Sequence, residues 1–130
     1  MNQRLSATLL VLLTTCITSI AQILYKKGAD LLTSGSFSAE FLNAFFNYYL
    51  WMGIILYAIS SVLVIVAFTK GEVSVLYPII ATSYVWVAIL SSIFLSEKMN
   101  SYKWIGIALI IMGIIFINAK SETAKFVEAI

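Results

Sequence analysis

The chain has 130 residues, of which 62% are hydrophobic and 11% charged, with a net charge of +2 and a mean hydropathy of +1.00. That balance excludes an ordinary soluble domain, and a charge so small and dispersed leaves no footprint for nucleic acid. Histidine is absent and Cys16 is the lone cysteine, so an internal disulfide is excluded and the redox compartment stays open.

The composition predicts an all-α membrane protein. A helix needs about 20 apolar residues to cross a hydrocarbon core of about 30 Å. Four stretches are read as spans in a single transmembrane domain: Leu5 to Tyr25, Tyr48 to Phe68, Val73 to Leu95, and Trp104 to Asn118. Their continuous Ile, Leu and Val, without period-two alternation, argue against a membrane barrel.

In the first span Leu13-Thr14-Thr15-Cys16 hints at a lipoprotein cleavage site. Threonine before the cysteine is too bulky for such sites, and the apolar run continues past it, so the segment is kept as a span. Thr8, Thr15, Ser19, Gln22 and Lys26 follow at steps of seven, four, three and four, a single helical face that ends in a cation. Lys27 lies about 100° further round. Lys26 is therefore the candidate ligand and Lys27 the interface anchor.

Residues 28–47 form the one long connection. Its first half reads as a loop, while in its second half Ser38 can cap a helix with Glu40 in the first turn and Phe41, Leu42, Phe45 and Phe46 at helical spacing. Either an interfacial helix precedes span two or span two starts early; Tyr48, Tyr49 and Trp51 mark the interface in both cases. The connections at 69–72 and 96–103 are tight, which predicts antiparallel hairpins.

Span three carries a second stripe: Ser74, Tyr77, Ala81, Tyr84, Ala88 and Ser91. Pro78, the only proline, sits among them, lacks an N–H and crowds the carbonyl of Ser74, so a kink is expected. Each stripe has two readings. Hydroxyls and small residues let membrane helices pack closely, and they also suit the wall of a transport path.

In span four Gly106 and Gly113 stand two turns apart, the spacing of a packing or dimer contact. Glu97, just before it, is expected to cap the last hairpin or to pair with Lys98 or Lys103. Trp86 and Trp104 suit either ligand stacking or an aromatic girdle. The polar tail after Asn118 reads as a frayed or short surface helix.

Basic residues favour the cytoplasm. Arg4, Lys70, Lys120 and Lys125 stand on one side and Lys26, Lys27, Lys98 and Lys103 on the other, a tie that turns to N-in, C-in if Lys26 belongs to a pocket. No acid, histidine, lysine or arginine lies mid-span, and there is no catalytic triad, metal-ligand cluster or phosphate loop. The sequence supports neither an enzyme nor a cofactor.

Residues 71–116 resemble the closing two helices of the drug/metabolite transporter superfamily, in Tyr77-Pro78, Glu97, Gly106 and Gly113. Two four-span branches of it are similar to this chain. The small multidrug resistance family carries a glutamate midway along its first helix, where this chain reads VLLTTCITSI. The small subunits that flip aminoarabinose-phospho-undecaprenol are nearer, through Gln22 to Lys26, Tyr77-Pro78 and Tyr84-Val85-Trp86-Val87.

The resemblance implies a dimerising half-transporter in the inner, cytoplasmic membrane, a flippase of a polyprenyl-phosphate (undecaprenyl-phosphate) lipid. Its partner is a second copy or a related small subunit, and its cavity opens alternately to each side. Lys26 would pair with a phosphate oxygen, and Gln22, Tyr77 and Tyr84 would hydrogen-bond the headgroup beside Ser19 and Trp86, with Pro78, Glu97, Gly106 and Gly113 structural or gating. The competing readings are export of small cations or metabolites, and an accessory subunit of a membrane glycosyltransferase.

Overall fold

The structure is a computed structural model that describes residues 2–32 and 35–130, Ser121 by its backbone only. Six helices follow one another: α1 (Gln3–Asp30), α2 (Phe37–Phe45), α3 (Tyr48–Lys70), α4 (Val73–Ile80), α5 (Ser83–Phe94) and α6 (Ser101–Ala129). Among the described residues four segments are long and apolar enough to cross a membrane: Gln3–Asp30, Tyr48–Lys70, Val73–Phe94 and Ser101–Ala129.

The apolar run of the first span ends at Tyr25, but the helix continues to Asp30. Nothing between these points breaks a helix except the permissive Gly28. At 1.5 Å per residue, 28 residues make about 42 Å, so the turn holding Lys26, Lys27 and Asp30 overreaches the hydrocarbon core.

α2 is a separate helix, not an early start of span two. It begins at Phe37 after Ser36, two residues before the cap expected at Ser38. The carbonyl of Ser36 accepts from the N–H groups of Ala39 and Glu40 at 2.9 and 3.0 Å, and the Glu40 carboxylate reaches back to accept from the Gly35 N–H at 3.1 Å. The acid thus fixes the start one turn behind itself. None of its residues is buried.

Asn47 separates α2 from α3. Its side-chain oxygen accepts from the N–H groups of Tyr49 and Leu50, a cap on α3. Its amide donates to the carbonyl of Gly28 at 2.9 Å, which holds the far end of α1.

Span three divides into α4 and α5 at Ala81 and Thr82. Pro78 lies inside α4, and the break follows it where the ladder tightens to three-residue bonds: Ala81 donates to the Pro78 carbonyl at 3.1 Å, and Thr82 to that of Ile79 at 3.0 Å. The Thr82 hydroxyl donates to the same Ile79 carbonyl at 2.7 Å. Beyond Asn118, α6 runs on to Ala129 with no frayed turn, because Ala119, Lys120, Glu122, Ala124, Lys125 and Glu128 are good helix formers and no breaker intervenes.

α1 is the central element, packed along its length on α3 and on its next face against α4 and α5. Gly28 meets Leu50, Tyr25 meets Gly53, and Thr18 meets Ser60, so residue numbers rise along one helix as they fall along the other. Near the start of α1, Ala7, Val11, Ala67, Leu76 and Ile79 form a dry cluster. α6 leans on α4, and Ile107 is its buried residue among the described side chains.

Candidate functional site

In the middle of α1 the polar stripe is a contact surface. The Thr14 and Thr15 hydroxyls donate to the carbonyls of Val11 and Leu12, the local bond that lets a hydroxyl lie in an apolar layer. On the α3 side, Ser60 is 2% exposed, hydrogen-bonds the Thr18 hydroxyl and donates to the Thr14 carbonyl at 3.1 Å. On the α5 side, fully buried Ser19 donates to the carbonyls of Thr15 at 2.6 Å and of Ser83 at 3.3 Å. Ser83 is the first residue of α5, immediately beyond the break. Among the described residues, no buried side-chain nitrogen or oxygen lacks a partner.

Further along the same face the contact opens. Gln22 is half-buried and Lys26 exposed. The Lys26 ammonium stands 2.7 Å from the Asp30 carboxylate, one turn on, with both side chains half-exposed. Tyr77, Tyr84 and Trp86 are exposed by 65%, 63% and 41%, with Trp86 about 200° round the helix from Tyr84. Within one chain the structure joins Ser19 to the break of span three, while the described partner of Lys26 is Asp30.

Glu97 lies 3.8 Å from the Lys103 ammonium, across the turn into α6. Ser96 before it adopts φ 52°, a left-handed conformation that closes α5. A Cβ on Gly106 or Gly113 would meet nothing within 4 Å, so both glycines face away from the rest of the chain.

A groove of about 400 Å³ lies on another face of α1. Ile20, Ile23 and Leu24 of α1 and Leu90 and Phe94 of α5 wall it, and Lys27 and Tyr49 add the polar groups. Sequence reasoning set Lys27 aside as an anchor and missed Tyr49 as a wall. The signal was present, since residues 20, 23, 24 and 27 share one helical face, but no hydroxyl marks it. Also missed were Ser60 and Ser83, which belong to no polar stripe, and Asn47.

Among the described residues no group of three or more His, Cys, Asp or Glu suits a metal ion. Fold and site together define a small multi-pass helical membrane protein with a broken third span. The chain belongs to the EamA-like transporter family, whose model matches residues 2–119, and so to the drug/metabolite transporter superfamily. It is a membrane transport protein.

It is 39% identical over 100 residues to the uncharacterized protein y4nH of Sinorhizobium fredii, covering 75% of this chain and 82% of that one. It is 29% identical over 114 residues to the probable magnesium transporter NIPA9 of Arabidopsis thaliana, covering 87% of this chain and 33% of that protein. The chain thus spans about a third of the plant relative's length. No solved structure matches it.

Proposed function

We propose that this chain is half of a carrier that moves a polyprenyl-phosphate-linked headgroup, of the undecaprenyl-phosphate type, across the cytoplasmic membrane by alternating access in a dimer. The observation that carries this reading is the outward face of span three. Tyr77 and Tyr84 are exposed in their own chain, and Tyr84 stands at the middle of the span Val73–Phe94, where no water is available to bond its hydroxyl. A second half, identical or a related small subunit, covers that face and encloses a cavity whose walls hydrogen-bond a headgroup. Gln22 bonds from α1, and Ser19 keeps the wall in place at the break beyond Pro78. The hairpins of the two halves meet through Gly106 and Gly113, whose faces are open.

Lys26 supplies the charge. In the absence of substrate Asp30 holds its ammonium, and a phosphate displaces the carboxylate, exchanging one anion for another at small electrostatic cost. Glu97, paired with Lys103, keeps the entry to α6 in place on the same side of the membrane.

The name of the Arabidopsis relative states a magnesium cargo for that protein. A hard cation wants carboxylate and carbonyl oxygens, and the apolar spans of this chain hold no Asp or Glu, which favours the anionic lipid. The test is the accessibility of a labelled polyprenyl-phosphate headgroup in proteoliposomes, for wild type and for Lys26→Ala. Faster equilibration with wild type than with Lys26→Ala is the expected result. Equal rates remove Lys26 from the site. No movement by either sinks the transport reading and leaves the accessory-subunit role, which co-purification of a stoichiometric glycosyltransferase would establish.

A further inference from the structure

The groove behind α1 shares no residue with the cavity just proposed, and it joins an apolar trough to two polar side chains near the end of α1. Five of its walls are apolar, and both polar side chains, Lys27 and Tyr49, are hydrogen-bond donors. Residues 20 to 27 cover about 10 Å of helix. The trough therefore runs from the hydrocarbon region up to the cation near the end of α1. Lys27 is half-buried, yet the ion pairs among the described residues engage other lysines, Lys26 with Asp30 and Lys103 with Glu97. Tyr49 reaches the groove from the first turn of α3, held there by the Asn47 cap.

We propose that this groove binds the phosphate of a membrane lipid on Lys27 and Tyr49, with the first part of the hydrocarbon tail lying along Ile20, Ile23, Leu24 and Phe94. The tail gives little selectivity, because a bilayer already surrounds it with equally apolar neighbours. Discrimination falls to the polar end. An ammonium and a phenol at the edge of a low-dielectric trough favour an anionic oxygen cluster, and a zwitterionic lipid brings its own cation to compete. Lys26 stands about 100° round the helix, so a lipid seated here waits one lysine away from the transport face. The proposal rests on the transport reading for the polyprenyl nature of the lipid.

The experiment is lipid retention by the purified full-length protein in native mass spectrometry. The probes are undecaprenyl phosphate, dioleoyl phosphatidate, undecaprenol, dioleoyl phosphatidylcholine and inorganic phosphate. The two lipid phosphates are expected to stay bound and the other three to be lost. Lys27→Gln lowers retention of both by about tenfold and Lys27→Arg preserves it; Tyr49→Phe lowers it by about threefold. Leu24→Trp, which fills the trough, also lowers it, and Lys98→Gln leaves it unchanged.

Retention of undecaprenol equal to that of its phosphate overturns the proposal, as does wild-type retention by both Lys27→Gln and Tyr49→Phe. The proteoliposome assay separates the two ideas. Phosphatidate binding that depends on Lys27, in a protein that flips nothing, keeps the groove and removes the carrier. Flipping with lipid retention indifferent to Lys27 does the reverse.

Discussion

The Ser19 hydroxyl lies 3.3 Å from the Ser83 carbonyl oxygen, so the central helix grips span three at the first residue beyond its break. Interhelical hydrogen bonds of this kind are worth about 0.6 kcal/mol on average and about 1.7 at most. Ser19→Ala should lower thermal stability by an amount in that range. Ser60→Ala, which releases α3 instead, should cost a similar amount. Comparing the two in the flipping assay isolates the break: Ser19→Ala is expected to change the rate more than Ser60→Ala at matched stability.

Gly53 allows α1 and α3 to touch. A Cβ there would stand 2.8 Å from the Tyr25 ring and 3.2 Å from the Ala21 carbonyl. The ring can swing but the carbonyl cannot, so Gly53→Ala should cost about 1–3 kcal/mol and Gly53→Val more. Unfolding of the purified protein in a detergent series measures it, and an unchanged transition for Gly53→Val would contradict the close approach.

Pro78 is a stability defect that the fold retains. A proline inside a helix costs about 3 kcal/mol or more, since it leaves the carbonyl four residues before it without its helical donor. Pro78→Ala is expected to raise the unfolding temperature while slowing transport, since a continuous helix resists bending at the grip of Ser19. A variant that is more stable and equally fast would mean that the break is not used.

Gly106 and Gly113 can be tested without disturbing the monomer, because an added side chain meets nothing within 4 Å at either site. Gly106→Leu and Gly113→Leu should leave helix content unchanged by circular dichroism and, on the proposed dimer, shift the mass in light scattering toward monomer. A dimer unaffected by both substitutions would place the seam elsewhere.

Much of this fold could be read from apolar runs, because burial in a bilayer demands them. The all-helical, four-span character follows from composition, and Pro78 marks the neighbourhood of the interruption in span three, which falls one turn beyond it. Hydropathy reports the membrane and not the helix, however, so α1 outlasts its apolar run by a turn and α6 by three. Periodicity finds faces but not neighbours. It separates Lys26 from Lys27 correctly as a matter of angle, yet only the positions of α3 and α5 reveal that the groove lies on the Lys27 side. Ser60 was invisible for the same reason: beside Ser61 in an apolar helix, it gains meaning only from the threonine opposite it.

Asn47 joins the end of α1 to the start of α3 with one side chain, closing the bundle beneath the long connection. The two spans are therefore registered at this end by one residue, with α2 resting on the start of α3 through the Trp51 indole, which donates to the Phe45 carbonyl at 2.7 Å. An insertion between Leu31 and Leu32, such as an epitope or a docking peptide, should leave the bundle intact.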